Sequence, residues 1–144
     1  MIWIVFAAVI VGTSATVDLP NTRLMPDTSK TMTYDDSLVR CKNASMTPYM
    51  PKTRAQWEAM ADALANMESH RMVEVWVPAT DREREGTLLF EDGTAVDTNA
   101  WNWHKNQKLK YNSDKRDCVV MGRGPNAPAL MLKCSMTALP MICV

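Results

Sequence analysis

Charge of one sign is lacking. Sixteen Lys and Arg stand against sixteen Asp and Glu, so the formal net charge is zero. A chain without a basic excess offers little to a phosphate backbone, which removes general nucleic-acid binding as the default. Glycine is scarce, at 5 of 144 residues. No phosphate-cradling glycine loop, G-x-S-x-G elbow or H-E-x-x-H helix occurs. The two histidines, His70 and His104, are far apart and lack metal-ligand spacing. With no such motif, the chain reads as a non-catalytic protein that needs no cofactor. Cysteine is also sparse, at 4, and without a C-x-x-C pair it suggests neither a zinc ribbon nor a thioredoxin-like site. What is present is a globular mixture, 47% apolar and 22% charged, of a length that suits one domain. Methionine is plentiful, at 12, a side chain that fills irregular gaps in a core.

The longest uncharged apolar run, Met1 to Val11, is too short to span a bilayer core of roughly 30 Å as a helix. Small residues follow it, with Thr13-x-Ala15 as a cleavage pattern. Residues 1–15 therefore read as a secretory signal peptide, although no Lys or Arg precedes the run. The expectation is a secreted, extracellular product without a membrane span. All four cysteines, Cys41, Cys118, Cys134 and Cys143, lie beyond that signal, and an oxidising compartment would pair them into two disulfides. Spacing alone leaves three connectivities open.

Residues 16–31 are polar and contain Pro20 and Pro26, which suggests a loosely packed arm. Thr33 with Asp36 resembles a capping box, followed by Tyr34, Leu38 and Cys41 on one helical face. Thr53 with Gln56 opens a second helix, whose apolar stripe is Trp57, Met60, Ala61, Leu64 and Met67. The period then changes. Val73, Val75 and Val77 alternate with Glu74 and Trp76, as in a strand. Asp81 to Gly86 reads as a charged, solvated turn. Thr87 to Phe90, the Asp92-Gly93 turn and Thr94 to Val96 form a hairpin pattern. Residues 97–117 show no period and read as a long loop. Further strands are predicted at Cys118 to Met121, Leu130 to Cys134 and Met141 to Val144. Two helices followed by short strands, without βαβ alternation, give an α+β fold.

Taken in order, these pieces resemble the C-type lectin-like domain family, over residues 32–144. Thr33 to Cys41 is similar to the family's first helix with its first core cysteine, and Pro51 to Trp57 to the start of its second helix. Val75-Trp76-Val77-Pro78 stands where the family carries W-I-G-L. Glu85-Gly86 and Phe90-Glu91-Asp92-Gly93 resemble its E-G…W-x-D-G segment. Trp101, Asp117-Cys118-Val119, Cys134 and Ile142-Cys143 follow in family order. The resemblance implies two helices beside two small antiparallel sheets, a projecting long-loop region, and disulfides Cys41–Cys143 and Cys118–Cys134.

Many lectins of this family hold sugar through calcium, a hard cation that takes six to eight oxygen ligands. The resemblance places the family's Asn-Asp pair at Leu130 and Met131, and neither side chain carries oxygen. The segment after Trp101 has no Glu-Pro-Asn triplet, and Arg116 stands two before Cys118. Asp114 and Asp117 alone do not rebuild the cage. No metal site is expected. The loop instead offers Trp103, His104, Lys105, Lys108 and Lys110, a mixture of aromatic face and positive charge suited to an anionic glycan. The expected partner is therefore a glycan bound without calcium. A protein-binding module and an extracellular structural or matrix component are the alternatives. Asn43-Ala44-Ser45 is a sequon for N-glycosylation.

Overall fold

In the computed structural model, which describes residues 19–26, 30–67, 73–104, 115–122 and 126–144, both helices begin at the threonines the sequence marks. The Thr33 hydroxyl accepts from the Asp36 N–H at 3.3 Å and starts α1, Tyr34–Asn43. The Thr53 hydroxyl accepts from the Gln56 N–H at 3.1 Å, and the Gln56 carbonyl oxygen accepts from the Thr53 N–H at 3.2 Å. This reciprocal cap satisfies amides that the first turn leaves open, and it starts α2, Arg54–Ala65. Trp57, Met60 and Leu64 are buried along α2, with Ala61 and Met67 packed beside them, as the stripe predicts.

Four short strands form one antiparallel sheet in the order β2-β1-β3-β4. They are β1 Val75–Thr80, β2 Leu89–Phe90, β3 Cys118–Met121 and β4 Ala129–Leu132. β1 starts two residues later than the valine pattern suggests and runs through Pro78. A proline lacks the ladder N–H, and the β1–β3 register shifts between Val77 and Thr80, where Pro78 sits. The alternation of β1 separates two cores, with neither face left to solvent. Val75, Val77 and Ala79 face α2, whereas Trp76 faces α1 among Tyr34, Cys118, Val120 and Cys143. The Trp76 indole donates to the Met32 carbonyl at 2.8 Å, so its one polar atom is satisfied.

The β2 hairpin turns at Gly93, whose φ of 84° lies where side chains are disfavoured. The expected return strand at Thr94 to Val96 is reduced to a single bridge, Leu89 to Ala95. The segment from Met141 to Val144 is likewise no continuous strand. Cys143 makes antiparallel bridges to Leu24 and to Pro48, and Met32 bridges Ala138. The first of these corrects the reading of a loose arm. Leu24 and Cys143 exchange backbone hydrogen bonds at 2.8 and 3.0 Å, and the Arg40 guanidinium donates to the Met25 and Met141 carbonyls. Backbone pairing does not depend on apolar side chains, so a polar segment can still be held.

Disulfides join Cys41 to Cys143 and Cys118 to Cys134, as the resemblance implied, across 102 and 16 residues of sequence. The long bridge ties α1 to the end of the chain and closes nearly the whole fold. Among the described residues, no helix is long and apolar enough to cross a membrane. The predicted signal, residues 1–15, lies outside the described residues.

Candidate functional site

Three indoles lead from the core of the α2 side to its surface. Trp57 stacks on Trp101 with ring centroids 4.9 Å apart, and Trp101 meets Trp103 at 5.7 Å. Each N–H is spent on a carbonyl: Trp57 on Ala127 at 3.2 Å, Trp101 on Pro51 at 2.8 Å, Trp103 on Thr98 at 2.9 Å. Trp101 is only 3% exposed and belongs to the core, while Trp103 is half-buried and reaches the surface. The 3-10 turn Thr98–Ala100 sets up this exit. The Asp97 carboxylate accepts from the Asn99 N–H at 3.0 Å, so the stretch opening the long loop is locally ordered.

Trp101, Asn102, Trp103, His104, Asn126 and Pro128 line a groove of about 510 Å³. Its walls are held from both sides. The His104 N–H donates to the Ala129 carbonyl at 3.1 Å, and Trp103 bridges Ala129 in parallel. The Asn102 amide donates to the Asn126 carbonyl at 3.4 Å. Opposite, the Gly122 N–H donates to the Pro128 carbonyl at 2.7 Å. A β-carbon on Gly122 would stand 3.0 Å from that same oxygen and 3.1 Å from the Leu130 side chain, so a larger residue there would have to push these neighbours back. Ala127 is strained at φ 36°, and its carbonyl is the one that caps Trp57. Among the described residues, a positive charge joins this rim by contact. Arg54, the first residue of α2, donates to the Asn102 side chain at 3.0 Å and to the Asn99 carbonyl at 2.8 Å.

An aromatic edge, two side-chain amides and an adjacent guanidinium make a surface that can stack on a flat apolar face and bond hydroxyls or anions. Of the residues proposed from the sequence, Trp103 and exposed His104 line this groove together, whereas Lys105, Lys108 and Lys110 lie outside the described residues. Asn126 and Arg54 were missed. Asn126 comes from a turn distant in sequence, and Arg54 reads simply as the first residue of a helix.

The two positions to which the resemblance assigns calcium-binding oxygens, Leu130 and Met131, are apolar. Met131 is 3% exposed and packs into the α2-side core, while Leu130 packs against the α1-side core. These side chains do not fit the ion. A different acidic group does form. Carboxylate oxygens of Asp81, Glu85 and Asp117 lie within 4.8 Å of one another, an arrangement with the charge to attract a cation. It supplies three side chains toward the six to eight oxygens calcium needs. The group adjoins the start of β3, whereas the groove adjoins the far end, where Gly122 bonds Pro128.

Asp81 also corrects the reading of a solvated turn at 81–86. It is 1% exposed, and its carboxylate accepts from the Gly86 N–H at 3.0 Å to close that turn. Burial pushes its carboxyl from 3.8 up to about 6. The Gly86 N–H works against that rise, and a shared hydrogen bond with Asp117 and its charge add to it. The alternating charges around it conceal this, because Arg82 swings outward to pair with Asp35 at 2.9 Å and covers the Tyr34 ring.

The Lectin C-type domain model matches residues 30–144. Among solved structures, the carbohydrate-recognition domain of the mouse scavenger receptor C-type lectin aligns with a TM-score of 0.67 at 18% identity, over 84% of this chain and 86% of that one. The C-type lectin CEL-I from Cucumaria echinata aligns with a TM-score of 0.69 at 14% identity, over 87% and 95%. A calcium-independent type II antifreeze protein aligns with a TM-score of 0.65 at 16% identity, over 87% and 92%. At such identities the likeness is one of fold. Among curated proteins, none matches the chain in sequence.

Proposed function

Because this chain belongs to the C-type lectin domain family, we propose that it is an exported, non-catalytic recognition domain that binds an anionic glycan through the Trp103 groove without calcium. The observation that carries this reading is one exchange. Leu130 and Met131 stand where the family resemblance places calcium ligands, while Asn102, Trp103, His104 and Asn126 line a groove that the Trp103–Ala129 bridge sets against the start of β4.

The chemistry follows from these residues. The Trp103 ring is held at its N–H by Thr98, so its free edge and face are presented without a rotamer search. A sugar ring stacks its C–H face there, and the Asn102 and Asn126 side chains bond hydroxyls at the margin. Arg54 supplies a positive charge beside Asn102. In sequence, Lys105, Lys108 and Lys110 follow immediately, which favours sulfate or carboxylate on the sugar. In this reading residues 1–15 are the export signal and residues 16–31 an arm before the domain.

A glycan array probed with the secreted protein tests the reading. Signal on sulfated or uronic-acid glycans is expected to persist in chelator and to fall steeply as salt is raised. A signal abolished by chelator would overturn calcium independence. A blank array with a captured protein partner would favour the protein-binding alternative.

A further inference from the structure

We propose that Asn43 carries an N-linked glycan, placed on the side of the sheet away from the groove. The sequence holds one Asn-x-Ser/Thr triplet, Asn43-Ala44-Ser45, and all three residues are exposed. They form the end of α1. The Ser45 N–H donates to the Lys42 carbonyl and the Met46 N–H to the Cys41 carbonyl, both at 2.9 Å. This pair of bonds defines a Schellman ending, whose left-handed residue is ordinarily glycine.

Here that residue is Ser45, at φ 55°. Serine gains nothing locally from the position. A side chain is disfavoured in the left-handed region, and its hydroxyl makes no hydrogen bond among the described residues. That hydroxyl is, however, what the acceptor triplet requires two residues after asparagine. A residue that the backbone disfavours and the triplet demands is explained by the triplet.

A second observation concerns what a glycan there would cover. Val39 is 51% exposed, more than any other large apolar side chain described, and stands four residues before Asn43. Residues at that spacing share a helix face, so sugar on Asn43 lies over Val39. α1 packs on the Trp76 side of the sheet, and the Trp101–Trp103 pair on the other. The glycan therefore leaves the groove open.

The reaction joins the Asn43 Nδ2 to C1 of a lipid-pyrophosphate-linked oligosaccharide. The C1–O bond breaks, the lipid pyrophosphate leaves with the electron pair, and Nδ2 gives up one proton. The proposal rests on the export reading, because this donor serves chains entering the secretory pathway.

The test expresses the full chain in animal cells, once with its own leader and once with an unrelated signal peptide replacing residues 1–15. Asn43 is then followed by mass spectrometry before and after peptide N-glycosidase in heavy-oxygen water. Heavy-oxygen conversion of Asn43 to Asp is expected in most exported molecules, and none in N43Q. Ser45→Gly relieves the left-handed position, so that variant should be exported folded and unglycosylated. Unmodified Asn43 in nearly all molecules carrying the exchanged leader would overturn the proposal. Glycosylation with the exchanged leader but not the native one would uphold the acceptor site and refute the export reading alone.

Discussion

Replacing Asp81 by Asn should make the protein more stable at neutral pH and leave it nearly unchanged in mild acid. The Asp81 carboxyl is raised from 3.8 to about 6 in the folded protein, chiefly by burial. The folded state therefore binds the extra proton between those two values. Stability from this group is fully present below pH 3.8 and is lost as the pH rises through about 6. That displacement corresponds to at most roughly 3 kcal/mol. Asparagine keeps a carbonyl oxygen for the Gly86 N–H, so the turn survives while the charge is removed. The assay is chemical denaturation of wild type and D81N, in chelator, at intervals between about pH 4 and 7. The difference should grow across that window toward roughly 3 kcal/mol in favour of D81N. Asp92, held down to about 2 by Lys52 and Thr94, titrates alike in both proteins and cancels. A difference that stays flat from acid to neutral would refute the claim that Asp81 is a buried, destabilised anion.

Removing Cys118–Cys134, which closes 16 residues, should cost about 3 kcal/mol, and removing Cys41–Cys143, which closes 102, about 4.7 kcal/mol; melting curves of the paired serine variants should rank in that order. Ser37 is fully buried and its hydroxyl accepts from the Met141 N–H at 2.7 Å, so Ser37→Ala should cost about 1–3 kcal/mol in a denaturant titration. Trp101→Ala should cost about 3–5 kcal/mol by opening the α2-side core. Trp103→Ala should cost clearly less stability yet lose most glycan binding, and equal melting losses for the two would contradict their assignment to core and surface.

Signals that are local in the chain mostly show in the sequence, and most of those that join distant residues do not. The helix starts at Thr33 and Thr53 are local, since a hydroxyl three residues before an amide needs no distant partner. The α2 stripe is likewise a matter of period. Cysteine order carried long-range information because four residues in family sequence admit one pairing by resemblance, which is the pairing observed. The hairpin's missing return strand at 94–96 is a local miss, but the larger ones involve partners far along the chain. Asp81 reads as one charge among five, and its partner Asp117 reaches it only through the fold, while the turn is closed by Gly86. Ser37 looks like a neutral helix residue until Met141 is brought to it. The arm looks loose until Leu24 meets Cys143. Within the groove, Trp103 and His104 could be named from an aromatic, basic loop, but Asn126 and Arg54 join it only through the fold.

The central claim is that ligand meets the Trp103 groove without calcium, and the indole N–H resonances report it directly. Nitrogen-labelled protein in chelator is titrated with a sulfated oligosaccharide. The Trp103 signal should move saturably while those of buried Trp57 and Trp76 stay in place. Silence at Trp103 in chelator, with shifts appearing only when calcium is supplied, would contradict the account.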